Sequence, residues 1–144
     1  MFSGIVKGIG SVVEVERHEE RYRIAVESPL FRDASLAGRH FAVGDSIAIN
    51  GVCLTVIEPE AGALQPPFRF DISSETLRRT TLGKVAVGTQ LNIEPSLRMG
   101  DSLDGHLVQG HVDCVTAVTA IAEEGNTFRV EFALPETLKR LIAP

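Results

Sequence analysis

Apolar and polar residues alternate with a period of two along most of this chain, the spacing that turns one face of a β-strand toward a core. The alternating stretches run from Gly10 to Glu16, Arg21 to Glu27, Ser46 to Asn50, Val52 to Glu58, Phe68 to Ser73 and Gln90 to Glu94, punctuated by Gly, Pro, Asp and Asn. Six short strands predict an all-β fold, and a small closed barrel rather than an open sheet, because closure leaves no unpaired edge. One helical stretch interrupts them. From Ser73 to Thr80 a serine stands at the N-cap, Glu75 in the first turn, Arg78 and Arg79 later, and Gly83 just beyond the end.

Asn50-Gly51 lies between two alternating runs and predicts a two-residue type I′ hairpin, whose central positions both take positive φ. That turn pairs Ile49 with Val52, Ala48 with Cys53, Ile47 with Leu54 and Ser46 with Thr55. Ile47, Ile49, Val52, Leu54 and Val56 then share one apolar face, predicted to enter the barrel. Ser46, Ala48, Cys53 and Thr55 share the other, which fits either a solvated strand face or a shelf for a flat molecule. Further on, Phe68, Phe70 and Ile72 face inward, leaving Asp71 and Ser73 outside beside the helix start. The first amides of a helix lack intrahelical partners, so they suit ordinary capping or a carbonyl or anionic ligand.

The chain also repeats itself. Displaced by 106 positions, Gly4, Val6, Val12, Arg23 and Pro29 fall on Gly110, Val112, Val118, Arg129 and Pro135, while Val15, Tyr22 and Ile24 fall on Ile121, Phe128 and Val130. Residues 1–100 therefore read as a first barrel and 101–144 as an incomplete second one, ending before counterparts of the Asn50-Gly51 hairpin and the Ser73 helix.

Composition narrows the function classes. Hydrophobic residues are 44% and charged residues 23% of 144, enough apolar material for a core. Fourteen Lys and Arg against nineteen Asp and Glu give a net charge of −5 with no basic tract, which argues against nucleic acid. No apolar run approaches the roughly twenty residues of a membrane helix, and no secretory leader is readable, so no membrane partner and a cytoplasmic setting are expected. Cys53 and Cys114 form no Cys-x-x-Cys pair and read as free thiols. His106 and His111 would face opposite sides of a strand, so a shared metal would need a bulge at Gly110, and no metal is expected. Either imidazole suits acid–base work near neutral pH, or an ordinary surface position. There is no dinucleotide fingerprint, phosphate-binding loop or nucleophile elbow.

Five segments together resemble the riboflavin synthase family: Met1-Phe2-Ser3-Gly4-Ile5-Val6, Val43-Gly44-Asp45-Ser46 running on to Asn50-Gly51-Val52-Cys53-Leu54-Thr55-Val56, Ser74-Glu75-Thr76-Leu77-Arg78-Arg79-Thr80, Leu82-Gly83, and Gly105-His106-Leu107-Val108-Gln109-Gly110-His111-Val112-Asp113. The resemblance implies a tandem pair of six-stranded Greek-key barrels with a C-terminal helix, assembled as a homotrimer. It implies dismutation of two 6,7-dimethyl-8-ribityllumazine molecules to riboflavin and 5-amino-6-ribitylamino-uracil, without cofactor or metal, between the first barrel of one subunit and the second of its neighbour.

By the match, Gly4, Ile5, Val6, Ser46, Cys53, Leu54, Thr55, Asp71, Ile72, Ser73, Ser74, Glu75, Thr76, Gly110, His111 and Val112 line the first lumazine site, with backbone groups around Ser74 to Thr76 reading the pyrimidinedione edge. His111 is the candidate for proton transfer, and Cys53, or a water or hydroxyl held near Ser46 and Thr55, for assisting addition. Phe2 fits either a cover over the site or a core anchor. Because the second barrel is shortened, the chain is expected to bind lumazines and flavins and to turn over poorly. A non-catalytic lumazine or flavin carrier is the alternative from another class, and an unrelated Greek-key interaction module a third.

Overall fold

The computed structural model describes residues 1–19, 21–33, 40–57 and 65–142. They fall into two compact units, Met1–Asp113 and Cys114–Pro144. Unit 1 holds β1 (Gly8–His18), β2 (Arg21–Glu27), α1 (Pro29–Arg32), β3 (Ser46–Ile49), β4 (Val52–Thr55), β5 (Phe68–Ile72), α2 (Ser74–Arg79), a 3-10 turn at Leu82–Lys84 and β6 (Gln90–Pro95). Its strands make one antiparallel sheet in the order β4-β3-β6-β1-β2-β5, so the last strand returns between the two hairpins in Greek-key fashion.

The barrel is not closed by strand pairing, contrary to the expectation. β4 and β5 end the sheet as its edges; beyond β4 a hydrogen bond from Ile57 N–H to the Arg69 carbonyl, 3.1 Å, links them in place of a ladder. The curl itself still buries one face. Ile24, Val26, Ile47, Ile49, Phe70 and Ile93 point into a common core, joined by Leu54, Val56, Ile72 and Leu91. Phe31 stacks on Phe68 with centroids 4.5 Å apart, and Phe41 meets both edge-on.

The hairpin follows its turn chemistry. Asn50 and Gly51 take φ of 48° and 77°, and the four pairs from Ser46–Thr55 to Ile49–Val52 form as expected. Other boundaries shift for local reasons. β1 runs on through Gly8, because Gly8 and Gly10 lie where a Cβ would come within 2.8 Å of Leu30 and Val26: here glycine permits close packing rather than a turn. β5 stops at Ile72 because Ser73 is the N-cap of α2, its Oγ accepting from Thr76 N–H at 3.1 Å. Gly83 does not cap α2: the helix ends at Thr80, whose hydroxyl donates to the Thr76 carbonyl at 2.7 Å. The stretch begun at Val52 leaves the ladder after Thr55, and its expected end at Glu58 lies outside the described residues. α1 was not foreseen, although Ser28-Pro29 signals it: Ser28 Oγ caps Leu30 N–H and Pro29 opens the helix.

Unit 2 contains β7 (Val118–Glu124), β8 (Thr127–Phe132) and a 3-10 helix at Glu136–Leu141. Its hairpin reproduces β1–β2 pair for pair. Val12↔Val26, Glu14↔Ala25, Val15↔Ile24 and Glu16↔Arg23 become Val118↔Phe132, Ala120↔Glu131, Ile121↔Val130 and Ala122↔Arg129, with a register shift at the same place in both ladders. The offset read from the sequence is thus repeated in backbone geometry.

Candidate functional site

The outer face of the hairpin is only partly free. Ser46 and Cys53 are half-buried and Thr55 is exposed, all pointing away from the core, but Ala48 is buried beneath other chain. Phe2 shares this face: it is fully buried, it bridges antiparallel to Val108, and its ring lies against Gly110. Burying an aromatic ring is favourable on either side of a sheet, and Phe2 is buried on this outer face, outside the core cluster, where it also lines a hollow with Gly4, Val6 and Ala48.

Gly110 is required at this crossing. It has φ of 75°, and a Cβ on it would meet Cys53 N at 2.9 Å, Cys53 Cβ at 3.0 Å and the Phe2 ring at 3.1 Å. Its carbonyl accepts from Cys53 N–H at 2.9 Å, fastening the Gly105–Val112 segment to the edge of β4.

Beside this crossing lies a cleft of about 270 Å³ with three walls. β4 supplies Val52 and Cys53; one face of α2 supplies Glu75, Thr76, Arg79 and Thr80; the crossing segment supplies Gly110, His111, Val112 and Asp113. Arg79 joins two walls, donating from Nη1 to the Asp113 carbonyl at 3.2 Å and from Nε to the Glu75 carboxylate. That hydrogen bond from Arg79 holds the Glu75 carboxyl below the usual carboxylate range, opposed by desolvation and reinforced by Arg78. His111 is exposed at the mouth, and Cys53 is a half-buried free thiol in the β4 wall.

Of the sixteen residues singled out, Cys53, Glu75, Thr76, Gly110, His111 and Val112 meet in this cleft. Gly4 and Val6 instead line a second hollow with Phe2, Ala48, Asn50 and Asn92, and Ile5 lines a third with Ser3 and Lys7. Leu54 and Ile72 are buried in the core, so only their backbone is available to a ligand. Asp71 is exposed but tied by a bidentate pair to Arg23, 2.7 and 3.1 Å. Ser73 spends its hydroxyl on the cap, where it accepts from the Thr76 amide, and the Ser74 and Glu75 amides belong to the first turn, whose N–H groups have no intrahelical acceptor. Val52, Arg79, Thr80 and Asp113 were missed; the helical spacing from Glu75 and Thr76 to Arg79 and Thr80 was the signal that could have found two of them. Among the described residues no three His, Cys, Asp or Glu side chains gather as metal ligands, and no helix is long and apolar enough to cross a membrane.

The family model for the lumazine binding domain matches residues 3–96, which contain β1 to β6 and α2. The chain belongs to the lumazine-binding domain family. Riboflavin synthase of Brucella abortus (strain 2308) is 36% identical over 144 residues, covering 99% of this chain and 68% of that protein. Riboflavin synthase of Photobacterium leiognathi is 35% identical over 143 residues, covering 99% of this chain and 62% of that protein. The chain therefore spans about two thirds of the length of these relatives. Among solved structures, LumP complexed with riboflavin superposes with a TM-score of 0.74 at 27% identity over 99% of this chain and 72% of that one. LumP complexed with 6,7-dimethyl-8-(1'-D-ribityl) lumazine gives a TM-score of 0.73 at 26% identity, over 94% and 70% of the two chains.

Proposed function

We propose that this lumazine-binding domain holds 6,7-dimethyl-8-ribityllumazine, or the flavin made from it, in the cleft between β4, α2 and the Gly110–Asp113 wall, as the first substrate platform of a riboflavin synthase. The observation that carries the reading is convergence: three stretches far apart in sequence bring Cys53, Glu75, Thr76, Gly110, His111 and Val112 to one hollow. Riboflavin and 6,7-dimethyl-8-(1'-D-ribityl) lumazine are the ligands of the LumP complexes that share this fold.

In this reading His111, at the mouth, takes a proton from the acidic 7-methyl group of the bound ring. Cys53, or a water held near Ser46 and Thr55, assists addition to the second ring. Two lumazines have the same summed composition as riboflavin plus 5-amino-6-ribitylamino-uracil, so the four-carbon transfer needs no external oxidant. Much of the rate would come from holding two rings in register. The second ring belongs to a second-barrel platform of a neighbouring subunit, in a cytoplasmic homotrimer; unit 2 here supplies counterparts of β1 and β2.

Titration of 6,7-dimethyl-8-ribityllumazine fluorescence tests the platform. Saturable quenching is expected, with Thr76→Ala binding about fivefold more weakly for loss of roughly one hydrogen bond; no fluorescence change with the parent chain would sink the proposal. The LumP likeness favours a second reading, a binder without turnover. Riboflavin absorbance growing in the same mixture separates the two: the polypeptide of these 144 residues is expected to bind well and form riboflavin slowly.

A further inference from the structure

Glu94 lies on β6 in a row with Ala48 on β3 and Cys53 on β4, successive cross-strand partners whose side chains share the outer face. It is only 7% exposed, a placement that costs free energy unless donors surround the carboxyl group. Three do, all on Oε1: Ser3 N–H at 2.7 Å, Ser3 Oγ–H at 2.9 Å and Gly4 N–H at 3.0 Å.

That short stretch carries the third wall of the cleft. Phe2 exchanges two backbone hydrogen bonds with Val108, 2.8 and 3.0 Å, and the Ser3 carbonyl accepts from His106 N–H at 2.8 Å. Gly105 approaches so closely that a Cβ there would stand 2.2 Å from the Ser3 oxygen. The segment so held then delivers Gly110 to Cys53 and the Phe2 ring, and His111 to the cleft mouth.

We infer that Glu94 is a positioning residue for the cleft: it does not line the cleft itself, but clamps the N-terminal stretch on which the Gly105–Val112 wall is laid. The inference rests on the lumazine reading for its affinity readout, and on backbone geometry alone for its exchange readout. In the intact chain, Glu94→Ala should speed amide hydrogen exchange at Phe2, His106 and Val108 together by at least tenfold, leave β1–β2 amides unchanged, and weaken lumazine binding by at least tenfold. Glu94→Gln should keep both within about threefold, because its amide oxygen can accept the same three donors. Unchanged exchange in Glu94→Ala, faster exchange with unaltered affinity, or equal damage from Gln and Ala would each overturn the clamp. If the parent chain binds no lumazine, the lumazine reading fails and the exchange comparison alone decides about Glu94. If Glu94→Ala does not fold, Ser3→Ala takes its place, with a smaller but coordinated rise expected at His106 and Val108.

Discussion

The two hairpins of this chain have the same register and the same irregularity, yet opposite surroundings. In β1–β2, Ile24 and Val26 are 0% exposed, covered by the inner faces of the strands that complete the sheet. Their counterparts in β7–β8, Val130 and Phe132, are 40% and 61% exposed within a unit whose described residues form two strands. Register is thus a local property, set by alternation and by the turn, whereas burial depends on partner strands far away in sequence. Gly10 and its counterpart Thr116 show the difference at a single position. A side chain at Gly10 would crowd Val26, the Glu27 carbonyl and Ile93, while the Thr116 hydroxyl has room to donate to the Ala133 carbonyl, the counterpart of that same Glu27 oxygen.

The largest effect should come from truncating matched core positions. Ile24→Ala is expected to lower unfolding free energy by about 2–5 kcal/mol through lost burial and a residual cavity, and Val130→Ala by no more than roughly 0.5 kcal/mol, as for a surface site. Denaturant titration of both variants checks this; equal losses would mean that the β7–β8 face is covered in solution. Next in size is the glycine exchange. Gly10→Thr should cost about 1–3 kcal/mol by overpacking, and Thr116→Gly less than about 1 kcal/mol, the usual cost of glycine's added freedom; thermal melts of the pair would reverse the lesson if Thr116→Gly were the more damaging.

The smallest effect concerns acid, and it should be confined to unit 1, where α2 lies. Since Arg79 and Arg78 hold the Glu75 carboxyl below its ordinary range in the folded state, the stabilisation they give is present above that range and disappears as pH falls through the lowered value. Stability–pH curves of the parent and Glu75→Gln should therefore converge toward low pH and separate above it. Parallel curves would show that the ion pairs at this exposed helix contribute nothing measurable.

Much of the site was legible because it rests on short-range signals. Asn50-Gly51 has one favourable turn, and that turn alone sorts Cys53 outward and Leu54 inward. Ser73 announces the start of α2 in the same local way. Glu94 was not legible: in sequence it is the polar tail of an alternating strand, and its partners Ser3 and Gly4 stand some ninety positions earlier. The bridging role of Arg79 was not legible either, because its acceptor across the cleft, the Asp113 carbonyl, stands 34 positions later in the chain.

Period, turn chemistry and the repeat determined by themselves which stretches become strands, which side of each faces a core, and how the hairpins pair, because those properties depend on neighbours within a few residues. Only the tertiary structure decided that the sheet stays open between β4 and β5, that Gly110 lies over Cys53 of the expected shelf with Phe2 packed against it, and that the remaining cleft is walled by β4, α2 and the Gly110–Asp113 stretch. Those outcomes turn on which groups from distant parts of the chain compete for the same buried surface, and a one-dimensional pattern carries no record of that competition.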